Sequence, residues 1–95
     1  MTETATAAQV AGQLEVLAAD LSGRGFATSI LTDHQYPCVK VVNESATQLF
    51  EHVYAAPAAD GSWWFWWSWK DPITRITDIE VAALRIAYVL MRDGA

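Results

Sequence analysis

The chain has a single cysteine, Cys38, so it can form no internal disulfide, and a reducing compartment fits that usage. Basic residues are scarce. Six Lys and Arg stand against eleven Asp and Glu, for a formal net charge of -5, and the six are scattered. Binding to a nucleic-acid backbone needs clustered Lys and Arg, so no nucleic-acid partner is expected. No apolar run approaches the ~18–20 residues of a membrane span. The longest candidate, Trp63 to Trp69, has the length of a strand. The start, Met1-Thr2-Glu3-Thr4-Ala5, lacks the basic residues and apolar stretch of a secretion signal. These absences point to a soluble, cytoplasmic protein with no membrane partner. Internal repeats and linker-like stretches are absent too. Residues 1–95 therefore read as a single domain, with 1–5 and 93–95 frayed.

What the chain does have is apolar material. Hydrophobic residues make up 53% of it, and all five tryptophans fall between positions 63 and 69. That composition excludes a disordered chain. A domain of this length buries only ~60–68% of its unfolded surface, so its core is thin.

Two helices bracket the sequence. Val10, Leu14, Leu17 and Leu21 recur at helical spacing and predict a helix over 6–22. Thr4 or Thr6 can cap its start, and Gly23 and Gly25 are natural stops. Near the other end, Thr77-Asp78-Ile79-Glu80 has the form of a capping box. Ile79, Ala82, Ala83, Ile86, Val89 and Leu90 follow as a helical stripe, with Arg85 and Arg92 towards the C-terminal end.

Between the helices the period changes to two. Four strands are predicted, over 26–32, 38–42, 48–56 and 63–70. Their connections are too short for parallel crossovers, so the sheet is an antiparallel meander. The predicted fold class is α+β, helix, four-stranded antiparallel meander, helix, with both helices packed on one face. The other sheet face then has no cover from its own chain.

The fourth strand, Trp63-Trp64-Phe65-Trp66-Trp67-Ser68-Trp69-Lys70, is aromatic on both faces. A half-solvated antiparallel strand should alternate apolar with polar. Trp63, Phe65, Trp67 and Trp69 are assigned to the core, because the alternate set ends in Ser68 and Lys70. Asp60-Gly61 reads as a two-residue hairpin loop. That register pairs Tyr54 with Trp67 and puts Glu51, Val53, Ala55, Trp64, Trp66 and Ser68 on the open face.

Each Trp has ~150–250 Å² to bury, so this face approaches the ~300–600 Å² of a typical monomer's largest apolar patch. The expectation is a non-enzymatic interaction module that homodimerises or binds a protein partner through Trp64, Trp66, Val53, Glu51 and Ser68. A second reading makes Trp64 and Trp66 a stacking platform for an aromatic, glycan or cationic small molecule, with Glu51, His52 and Ser68 as its polar groups.

Catalytic signals are missing. His34, Cys38 and His52 match no common zinc spacing and lack a fourth ligand. Cys38 with either His has no third residue to orient a nucleophile pair. Gly23-Arg24-Gly25 follows a helix instead of preceding one, so it is no phosphate loop. Neither a cofactor nor a metal is expected, and no enzymatic activity.

The segment Val53-Tyr-Ala-Ala-Pro-Ala-Ala-Asp-Gly-Ser-Trp-Trp-Phe-Trp-Trp-Ser-Trp69 is similar to small actinobacterial proteins with a Trp-rich strand. The resemblance implies a high-GC bacterial source, which the Ala-rich first helix also fits. It implies no activity, ligand or site residue.

Overall fold

The computed structural model describes residues 6–33 and 35–91. The two ends expected to fray, the dipole role of Arg92 and any role of His34 lie outside those residues. Helix α1 (Ala7–Gly23) leads into strands β1 (Phe26–Leu31), β2 (Cys38–Asn43), β3 (Phe50–Pro57), β4 (Trp63–Trp67) and β5 (Pro72–Arg75), and helix α2 (Ile79–Met91) follows. The strands lie side by side in chain order, each antiparallel to its neighbours. The class is α+β, and the sheet has five strands, not four.

The reason lies in the turns. β4 ends at Trp67 because the chain reverses over 68–70. The Lys70 amide donates to the Trp67 carbonyl at 2.9 Å, and the Trp67 amide donates to the Asp71 carbonyl at 2.8 Å. Lys70 takes φ 72°, the left-handed value that ends a three-residue hairpin loop. The chain then returns as β5. Pro72 opens that strand at the sheet edge, where a missing N–H is tolerated. Four residues beginning with proline carry little periodic signal.

The β3–β4 turn repeats this geometry. The Gly61 amide donates to Ala58 at 2.9 Å, the Ala58 amide to Ser62 at 2.7 Å, and Gly61 takes φ 89°. The loop is therefore the three residues 59–61. A two-residue loop of the kind expected for Asp60-Gly61 would need positive φ at Asp60 as well, and Asp60 does not have it. The Asp60 carboxylate instead accepts from the Ser62 amide at 3.0 Å and hydroxyl at 2.6 Å. One extra loop residue shifts the register by one. Val53 pairs with Trp67, and Tyr54 pairs with Trp66.

That shift decides the faces. Val39, Val41, Val53, Ala55, Phe65 and Trp67 share one face and join the buried residues of both helices in a single cluster. Leu14, Leu17 and Leu21 of α1 are fully buried in it, each contributing about 1.5–3 kcal/mol. Among the described residues, Phe65 is the largest wholly buried side chain. Val53 and Ala55, expected on the open face, belong to this core.

The helix ends follow local chemistry. Thr6 caps α1 through a capping box with Gln9. Gly25, with φ 96°, lets the chain turn away after Arg24. α2 starts at Ile79, one residue later than a Thr77 cap requires, so Asp78 occupies the cap position. Two side chains tie α2 to the sheet. Asn43 Nδ2 donates to the Leu90 carbonyl at 2.9 Å, and Arg85 Nη1 donates to the Ile73 carbonyl. Among the described residues, no helix is long and apolar enough to cross a membrane.

Candidate functional site

The sheet face turned away from the core cluster carries Lys40 on β2, His52, Tyr54 and Ala56 on β3, Trp64 and Trp66 on β4, and Arg75 on β5. Cross-strand pairing puts these side chains next to one another. Trp66 lies opposite Tyr54, Trp64 opposite Ala56 and Arg75 opposite Trp64.

Both tryptophans are half-buried, and both indole N–H groups are bonded inside the chain. Trp66 Nε1 donates to the Ala56 carbonyl at 2.9 Å, and Trp64 Nε1 to Ser62 Oγ at 3.0 Å. These bonds hold the rings against the sheet. The Arg75 guanidinium lies over the Trp64 ring at 5.6 Å, and the Lys40 ammonium over the Phe50 ring at 5.2 Å.

The face is concave at one end. A cavity of about 510 Å³ is lined by Gln35, Tyr36, Tyr54, Ala56, Trp66, Trp67, Ser68 and Lys70. Its volume lies in the ~300–1,000 Å³ range of small-ligand sites. Its walls are aromatic, and a few polar groups line it: an amide, hydroxyls and one ammonium. The carbonyl of Pro37 accepts from Ala55 at 3.0 Å, which extends the pairing past Cys38 and brings Tyr36 alongside β3. Tyr36 also meets Trp63 edge-on at 6.1 Å.

Charge is segregated. Lys40, Lys70 and Arg75 are three of the chain's six basic residues. None of the described strand residues on this face is acidic. The strands of this face thus present basic and aromatic side chains, with carboxylates only at the margins: Asp60 near Arg75, Asp33 near Cys38, and Glu51 on the Ser68 hydroxyl.

Of the five residues singled out from the sequence, Trp64 and Trp66 lie on this face. Val53 is wholly buried on the other. Glu51 shares Val53's face by register and accepts a hydrogen bond from Ser68 Oγ at 2.9 Å. Ser68 is in the β4–β5 loop, where it lines the cavity from the rim. Trp69, expected in the core, leaves the strand and stacks on Trp67 at 4.9 Å, half exposed. Tyr54, Tyr36 and Lys70 were missed as site residues. Tyr54 was placed on the wrong face by the register, and Tyr36 sits in a turn with no period to read.

Cys38 lies on the open face beside Tyr54 but is covered. Burial pushes its thiol pKa up, and the negative charge of Asp33 adds to the rise, so it is a poor nucleophile. Among the described residues, no three His, Cys, Asp or Glu side chains gather as a metal site. The chain matches no protein-family model, and no curated protein or solved structure shows significant similarity to it.

Proposed function

We propose that the domain is a non-enzymatic binding module whose open sheet face takes a small planar ligand bearing an anionic group. The observation that supports this is the 510 Å³ aromatic cavity with Lys70 at its rim. A flat ring stacks on Trp66 and Tyr54, and a carboxylate or similar group meets the Lys70 ammonium. Lys40 and Arg75 already cover aromatic rings, which leaves Lys70 as the cation facing the cavity.

The charge on this face argues against self-pairing of two open faces. A two-fold sandwich would gather Lys40, Lys70 and Arg75 of both copies in one interface. Like charges across an interface cost several kcal/mol. The half-buried state of Trp64 and Trp66 also leaves less apolar area to hide than two free indoles would.

The test is a titration followed by two-dimensional NMR. Indole-3-carboxylate should shift the Trp66 indole N–H resonance saturably, and neutral indole should bind at least several-fold more weakly. Lys70→Ala should weaken the carboxylate to the level of neutral indole. No saturable shift up to the solubility limit of the carboxylate, or equal binding of the neutral analogue, would refute the reading.

A further inference from the structure

Among the described residues, the three most exposed large apolar side chains lie on α2, ahead of Phe50 on the open sheet face. Leu84 is 51% exposed, Tyr88 66% and Met91 61%, and Val81 continues the row. The spacing 81, 84, 88, 91 follows one side of a helix. The opposite side, Ala82, Ala83, Ile86 and Leu90, is in the core. The helix is therefore apolar on two faces while the core covers one.

α1 provides an internal comparison. Both helices lie against the same core, yet the exposed residues of α1 are mostly Ala, Gln, Glu and Ser, with Val16 the one large apolar side chain. A small, polar outer face is what solvent requires. The outer face of α2 departs from it over its whole length.

The row borders a groove of about 360 Å³ lined by Trp67, Leu84, Arg85, Tyr88 and Val89. Trp69 stacks on Trp67 and leaves its other side half exposed, so the apolar surface extends from the helix onto the β4–β5 loop.

We infer that this surface is where a second copy of the chain docks, with the two α2 helices antiparallel about a two-fold axis. Three features select a second copy. The first is area. The exposed parts of Val81, Leu84, Tyr88, Val89, Met91 and Trp69 together come to roughly 600 Å² of apolar surface per protomer, and the polar rim brings it near the ~800 Å² per partner of a standard interface. The second is self-complementarity. An axis level with residue 86 sets Val81 against Met91 of the other copy and Leu84 against Tyr88, so every pair along the row is apolar. The third is charge. Within α2 the charged residues are Glu80 and Arg85, of opposite sign, so the chain's excess negative charge is not concentrated there. Antiparallel packing also places opposite helix dipoles side by side. This surface meets the cavity of the open face only at Trp67 and the β4–β5 loop, and Val81, Leu84, Tyr88 and Met91 line no part of that cavity, so variants on α2 test the dimer without touching the ligand reading.

Light scattering on a size-exclusion column, with the whole chain loaded from about 1 to 200 µM, tests the inference. The dimer mass should appear within that range. Leu84→Glu should return the monomer mass, as should Val81→Glu, and both positions are exposed enough for the variants to fold. Trp66→Ser, on the other face, should keep the dimer. Circular dichroism confirms folding of each variant. A wild-type monomer throughout the range would overturn the inference. So would a dimer that survives both glutamates, or one lost with Trp66→Ser in a folded protein.

Discussion

Replacing Lys70 by glycine should stabilise the fold and weaken ligand binding at once. Lys70 is the only described non-glycine residue with positive φ, at 72°. Holding an L-residue in the left-handed region costs roughly 1–2 kcal/mol, because Cβ crowds the following carbonyl. Glycine removes that crowding but loses more freedom on folding, which opposes the gain by about 0.5–1 kcal/mol. The net gain is about 0.5–1 kcal/mol. Lys70 is exposed and forms no ion pair among the described residues, so no contact is lost to offset it. For a domain of this size 1 kcal/mol corresponds to about 4–8 °C in Tm, and calorimetry should show a rise of about 2–8 °C. Lys70→Ala is the control. It keeps the strain and removes the ammonium, so its Tm should stay near that of the natural chain. Both variants should lose affinity for indole-3-carboxylate, but only the glycine variant should gain stability. Strained residues cluster at functional sites, and a stability gain coupled to lost binding is the signature of strain kept for a purpose. Equal Tm values for the glycine and alanine variants would refute the reasoning.

Two further outcomes follow from the packing. Trp67→Ala empties part of the core and should cost about 3–5 kcal/mol in urea denaturation, whereas Trp64→Ser should cost well under half of that. Equal losses would mean that β4 does not separate a core face from an open one. The Cys38 thiol should resist alkylation at pH 8 in the folded protein and react promptly in urea, because burial and then Asp33 raise its pKa and its side chain is covered. Labelling at the rate of a free thiol without denaturant would contradict the described burial.

Much of the fold was legible in the residue pattern. The leucines of α1 and the stripe of α2 state helical period and most of the buried face directly, although Val89 of that stripe is exposed, and Thr4 or Thr6 marks the first start, which the structure places at Thr6. The short connections between the four predicted strands state an antiparallel sheet. What failed was parity. Val53 and Tyr54 exchanged faces because the β3–β4 loop holds three residues, and nothing in Asp60-Gly61 distinguishes that loop from a two-residue one. The site failed with it, since Tyr54 and not Val53 lies beside Trp66. β5 was missed because the left-handed turn at Lys70 is unusual for lysine, and sequence rules place such turns at Gly or Asn. The apolar outer row of α2 stands in the sequence beside an inner stripe of Ala, Ile and Leu, and only packing tells the two rows apart.

The sequence alone determined the class, the helix positions and the surplus of aromatic side chains, because those depend on local period and composition. The tertiary structure decided where the surplus goes. One extra loop residue moves a whole strand's side chains to the other face, and a turn at Lys70 sends Trp69 out of the sheet. Those are consequences of register and of a single backbone angle, which no local pattern encodes. The outcome is two surfaces in place of one: a cationic aromatic hollow on the sheet and an apolar ridge on α2.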